Sequence, residues 1–188
     1  MPRVLVPLAE GFEEIEAVSI VDVLRRGGVE VVLAGLAGAG VVRGSHGIAV
    51  VADVGLAAVQ QERFDLLILP GGEPGVTHLG EDATLRALVQ RRARAGQPLA
   101  AICAAPRLLA RDSLLRGLAA TSHPSVAAQV RAGGAVYDDT QPVVRDAHIL
   151  TSRGPGTALE FALAALTGLG LGDRALELRA AMLVPSAV

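Results

Sequence analysis

The chain has 188 residues, and Ala, Gly, Leu and Val supply 33, 22, 27 and 23 of them. Its 17 basic residues are all arginine, against 19 acids, for a net charge of −2, and it contains no Lys, Asn or Trp. That balance gives no overall attraction to polyanions, the aromatics (Phe12, Phe64, Phe161 and Tyr137) offer little to stack on bases, and the missing lysines exclude Schiff-base lysine chemistry and the glycine-rich phosphate loop that ends in Lys-Ser or Lys-Thr.

In chain order, Val4 to Leu8 reads as a buried strand, and the segment carrying Phe12, Ile15, Val18, Ile20, Val21 and Leu24 as a helix that stops at Gly27-Gly28. Val29 to Ala34 returns as a second strand, so the opening unit is strand, helix, strand, the signature of a parallel sheet. Val41 to Ala52, interrupted by Gly44-Ser45-His46-Gly47, predicts a hairpin. Phe64 to Leu69 is a central strand ending in Pro70-Gly71-Gly72, Thr84 to Ala95 a helix with arginines on its wet face, Leu99 to Ile102 a further strand, and Ala104 to Arg111 the helix that leaves it. Short strands follow around 118–121, 135–137, 142–144 and 148–151, with helices over 125–132, 157–166 and 172–181. The pattern predicts one domain over residues 1–188, a three-layer α/β sandwich with a mostly parallel central sheet. In such sheets chemistry collects at the carboxyl ends of the strands, which directs attention to the loops after Leu8, Leu69 and Ile102.

The one cysteine, Cys103, cannot make an intrachain disulfide or a multi-cysteine zinc site. It sits in Ala100-Ala101-Ile102-Cys103-Ala104-Ala105-Pro106, a strand-to-helix junction with only small neighbours, which resembles a nucleophile elbow. A thiol there faces the positive end of a helix dipole, which is expected to lower its pKa. Gly71 and Gly72 follow a central strand and can aim backbone amides at an oxyanion. Glu10, Glu13 and Glu14 read as solvated first-turn acids, whereas Glu16 falls on the edge of the face that covers the sheet, where desolvation raises a carboxyl. His123 precedes Pro124 in an extended loop. His46, His78, His123 and His148 show no zinc-helix spacing, so neither metal nor cofactor is expected. No stretch reads as a membrane span or an export leader, which with a single thiol suggests a reducing cytoplasm.

The blocks GFEEIEAV, VDVLRR, VEVVLAGLAG, FDLLILPGG, LAAICAAP, TSHP and ILTSRGPGT, in this order, resemble the ThiJ/PfpI family, in particular the branch of the Parkinson-associated protein deglycase and bacterial YajL. The resemblance implies a flavodoxin-like fold and a homodimer. It implies that Cys103 is the elbow cysteine, Glu16 its hydrogen-bonded acid, His123 the nearby histidine, and that Gly71, Gly72 and Ala104 surround the reacting centre. Glu13, Arg26, Ser152, Arg153, Gly154 and Pro155 match pocket or dimer-side positions more loosely. Two departures stand out. Ser45-His46 replaces a Ser-Arg pair common in the branch, which weakens an anion site near the dimer interface. Ala104 stands where the protease-named branch has a histidine, so the peptidase dyad is missing. The implied activity is cofactor-free chemistry on reactive aldehydes, glyoxalase-like or deglycase-like, in stress protection. The alternative is a redox-sensing or chaperone protein acting through oxidation of Cys103; thiamine biosynthesis finds no phosphate-cradling sequence in support.

Overall fold

The computed structural model describes residues 1–185. β1 (Arg3–Leu8) leads into α1 (Glu14–Arg26), and β2 (Glu30–Gly35) runs parallel to β1 with Val4 opposite Val31 and Leu8 opposite Gly35. β3 (Gly40–Arg43) and β4 (Ala49–Ala52) form the expected hairpin as a separate antiparallel ribbon. Then come β5 (Val54–Gly55), α2 (Leu56–Val59), β6 (Leu66–Leu69), α3 (Gly75–Glu81), α4 (Ala83–Arg94), β7 (Leu99–Ile102), α5 (Pro106–Arg111), β8 (Ala119–Ala120), α6 (Ala127–Ala132), β9 (Val136–Tyr137), β10 (Val143–Asp146), β11 (Ile149–Ser152), α7 (Ala158–Gly168) and α8 (Gly172–Ala181).

The main sheet has seven strands in the order β10-β11-β7-β6-β1-β2-β5, parallel throughout except for β10 against β11. Ile20 and Leu24 of α1 pack with Phe161 and Leu166 of α7 over one face, while Leu85, Leu88, Leu109 and Val130 from α4, α5 and α6 cover the other. The result is the flavodoxin-like sandwich. Strand order reverses between β1 and β6, and there the loops after Leu8 and Leu69 pack together, the Glu13 N–H donating to the Gly71 carbonyl at 2.9 Å.

Several elements differ from the sequence reading. β6 starts at Leu66 because the Phe64 carbonyl is taken by the Arg92 guanidinium at 2.8 Å instead of joining the ladder. α5 starts at Pro106, two residues later than expected, which leaves Cys103 to Ala105 free to form the turn. α3 was not foreseen: its sequence, GVTHLGE, carries two glycines and no apolar period long enough to announce a helix. α1 departs in its faces. Ala17, Ile20, Val21 and Leu24 are buried, but Ile15 and Val18 point outward.

Candidate active site

β7 lies between β6 and β11, so the residue that follows it emerges among three loops. That residue is Cys103, at φ +63°. A left-handed backbone at a residue with a Cβ costs roughly 1–3 kcal/mol and persists only where its surroundings fix it. Here the Cys103 N–H donates to the Ser152 carbonyl at 3.0 Å, and the Cys103 carbonyl accepts from the His123 N–H at 2.8 Å. Ala101, Ala104 and Ala105 add no bulk against the turn, and the thiol stands half-buried at the strand ends.

Glu16 comes from the first turn of α1 and is fully buried. Its Oε2 accepts the Gly71 N–H at 2.8 Å, while Oε1 is buried with no N–H donor. A side chain at Gly71 is excluded, because a Cβ there would lie 2.6 Å from the Cys103 Cβ and 2.7 Å from Glu16 Oε2. Gly72 adopts φ +95°, which glycine alone takes without strain. Burial pushes Glu16 up to about 7, against the Gly71 and Cys103 hydrogen bonds that favour its charge. Burial, and then the charge and hydrogen bond of Glu16, push the Cys103 thiol up to about 12, opposed by the amides of Ala104 and Gly72. This corrects the expectation of a thiol lowered by the helix dipole: α5 is only six residues long and begins three positions away, whereas the acid is in direct contact.

Gly71 is a second correction. Its amide serves Glu16, so the donors left for a charged sulfur or oxyanion are those of Gly72 and Ala104. Glu13 and Glu14 are a third, since both are buried. Glu13 caps α1, accepting the Glu16 N–H at 2.7 Å, and so fixes the turn that aims Glu16. Glu14 reaches the hairpin tip, where it accepts from the backbone of His46 at 2.6 Å and meets His46 Nδ1 at 2.9 Å. Burial raises the Glu14 carboxyl, but the His46 ring and the backbone N–H groups outweigh it and hold it at about 2. Among the described residues, Glu13, Glu14 and His46 could hold a cation, yet the Glu14 oxygens are already occupied by N–H donors.

His123 arrives from the loop after β8. Its Nδ1 lies 2.8 Å from Ser125 Oγ, leaving Nε2 as the ring nitrogen free for proton transfer. A Cβ on Gly154 would be 3.5 Å from His123 Cδ2 and 4.0 Å from Cys103 Sγ, so the Ser152-Arg153-Gly154-Pro155 loop closes the same niche. Sequence reasoning had not picked out this fourth strand-end loop from strand order; knowing that β11 neighbours β7 would have found it. Arg153 adds to the hydrogen bonds from Thr140 and Gln141 that hold Asp138 low. Pro155 opens the turn that ends at Thr157, whose hydroxyl accepts the Gly154 N–H at 3.1 Å and lies 2.7 Å from Ser152 Oγ. Tyr137 donates to the Ser122 carbonyl at 3.0 Å and steadies the His123 loop. Neither Thr157 nor Tyr137 was singled out from sequence. Arg26 is not brought to this niche: it lies ten residues, about 15 Å, beyond Glu16 along α1, where it pairs with Asp22.

The sequence model of the DJ-1/PfpI family matches residues 2–168. The chain belongs to the DJ-1/PfpI family. The Drosophila melanogaster protein dj-1beta is 40% identical over 180 residues, 96% of both chains, and the crystal structure of Drosophila DJ-1beta superposes with a TM-score of 0.94 at 39% identity, covering 98% of this chain and 99% of that one. Oxidized Toxoplasma gondii DJ-1 superposes with a TM-score of 0.92 at 38% identity, covering 99% of this chain and 100% of that one. A Caenorhabditis elegans relative named glutathione-independent glyoxalase DJR-1.2 is 40% identical over 157 residues, 82% of this chain and 81% of that protein. Within the DJ-1/PfpI family, therefore, enzymatic handling of a reactive aldehyde is attached to a close relative by name.

Proposed function

We propose that this DJ-1/PfpI protein is a cofactor-independent, cysteine-dependent enzyme acting on small reactive aldehydes, converting methylglyoxal and water to lactate or removing the same unit from early glycation adducts. The observation that carries this reading is the strained elbow, which holds Cys103 against a buried acid of raised pKa and beneath two amides. The sulfur adds to the aldehyde carbon to give a hemithioacetal. Its developing oxyanion is held by the Gly72 and Ala104 amides and takes a proton from Glu16. Glu16, now a carboxylate, and His123 then move the aldehyde carbon's proton to the neighbouring ketone carbon while the hemithioacetal hydroxyl's proton passes to the ketone oxygen, leaving the thioester of lactate. Water releases lactate and restores the thiol.

Methylglyoxal consumption by the purified protein, in the absence of glutathione, tests the proposal. Cys103→Ala is expected to abolish it, at least a thousandfold below wild type; a variant that keeps its activity would sink the mechanism. A second reading, oxidation of Cys103 as a redox signal, is favoured by the same two amides and acid, which suit a sulfinate, and by the absence of a second cysteine to resolve a sulfenate as a disulfide. We also propose a homodimer. Ile15 and Val18 on α1 and Val41, Ile48 and Val51 on the hairpin are large, exposed and apolar.

A further inference from the structure

The two amides that face the sulfur come from different loops, Gly72 after β6 and Ala104 after β7. Their spacing therefore depends on whatever holds these loops together on the outer side of the site. One side-chain cluster spans them. Glu73, directly after Gly72, forms an ion pair with Arg107 of α5, three residues after Ala104, at 2.6 Å. Thr77 of α3 completes the ring: its hydroxyl donates to Glu73 at 2.9 Å and accepts from Arg107 at 2.9 Å. Behind this ring the packing stops. Thr77 and Arg107 line a cavity of about 600 Å³ between α3, α5 and α6, whose other walls include Gly80, Ala110, Gln129 and Gly133. Leu109 anchors the inner side of α5 in the core, while the outer flank of its first turn borders this cavity.

The geometry points to Arg107 as a positioning residue: through Glu73 and Thr77 it clasps the two loops that carry the Gly72 and Ala104 amides, and so sets the donor spacing around the Cys103 sulfur. The clasp rests on the thiolate and oxyanion reading above. It is half-exposed, so its removal is expected to cost little global stability while loosening the one distance on which the sulfur's charge depends. A charged ring with shared hydrogen bonds is the kind of surface network that does have a measurable effect.

The test is the rate of Cys103 alkylation by iodoacetamide across pH, alongside methylglyoxal kinetics, in wild type, Arg107→Met and the charge swap E73R/R107E. For Arg107→Met, alkylation at pH 7.5 is expected to fall by about one-and-a-half- to threefold and its midpoint to move upward by roughly half a unit to one unit, with kcat falling in parallel and KM within about twofold. The swap is expected to recover most of the loss. Alkylation of Arg107→Met at the wild-type rate with an unshifted midpoint would overturn the clasp, as would a swap that stays as slow as the single variant. If wild type does not turn over methylglyoxal at all, the aldehyde reading fails, and the alkylation profile still decides the role of Arg107.

Discussion

Glu16, fully buried, and Cys103, half-buried, are two acids in contact, and both cannot be charged at once without cost. Near neutral pH the pair holds one proton: the first leaves at about 7, governed by Glu16, and the second only toward 12. Within that window the one proton is shared: burial and the Glu16 charge keep it mostly on sulfur, while the Gly72 and Ala104 amides support the fraction with charge on sulfur and the proton on Glu16, and that fraction appears as the first proton leaves. Alkylation of Cys103 should therefore rise through about pH 7, and in Glu16→Gln this step should vanish, leaving one ionisation below 12 because the like charge is gone. Stability carries the same signature with a definite sign. A carboxyl raised from 4.5 to about 7 binds its proton more tightly in the folded state, so stability is fully present below 4.5 and declines as pH rises toward 7. The loss is on the order of 3 kcal/mol. Denaturation midpoints of wild type are expected to fall between pH 5 and 8, and those of Glu16→Gln to stay level; a wild type as stable at pH 8 as at pH 5 would contradict the raised carboxyl.

The hairpin β3–β4 and helix α1 show how far elements can be read from sequence. The Gly44–Gly47 interruption predicts the hairpin, and α1 follows from its apolar period and its Gly27-Gly28 stop. The elbow was legible too, because small residues on both sides of a cysteine after an apolar strand are a local pattern. What was illegible is long-range. Glu14 looks like a solvated first-turn acid until the hairpin, some thirty residues later, folds over it, and two of its partners, the N–H groups of His46 and Ile48, are backbone with no sequence identity to detect. The Glu73–Thr77–Arg107 ring depends likewise on α3, whose glycines hide it. Glu14 ties the hairpin tip to α1, beside the Ser45 N–H that donates to the Phe12 carbonyl at 2.9 Å. Its carboxyl is lowered in the fold, so this anchoring is present above about 4.5 and lost as pH falls toward 2. Hydrogen bonds to a charge contribute about 1.5–3 kcal/mol each when buried, and at this rim Glu14→Ala should cost about 2 kcal/mol in all. Hydrogen exchange reads it directly: the amides of His46 and Ile48 should exchange faster in the variant, and unchanged rates would remove Glu14 as an anchor.

At the scale of the molecule, the apolar residues that α1 and the hairpin leave exposed need a partner. Val18 and Val51 flank one groove of about 310 Å³ together with Ala17, Val21 and Val50, and Ile15 and Ile48 are exposed on the same two elements. This surface is continuous with the elements that build the active site, since α1 also carries Glu16. A stable homodimer needs about 800 Å² from each copy, and five large aliphatic side chains on two adjoining elements provide its apolar centre. Burying one valine contributes about 2 kcal/mol, so placing an aspartate at Val51 should weaken association by at least about thirtyfold, more once the cost of burying the charge is included. Sedimentation of the wild type at micromolar concentration is expected to give twice the chain mass, and Val51→Asp to give a single chain with an unchanged circular dichroism spectrum. A wild type that sediments as a single chain, or a Val51→Asp variant that stays paired, would show that some other surface joins the copies or that none does.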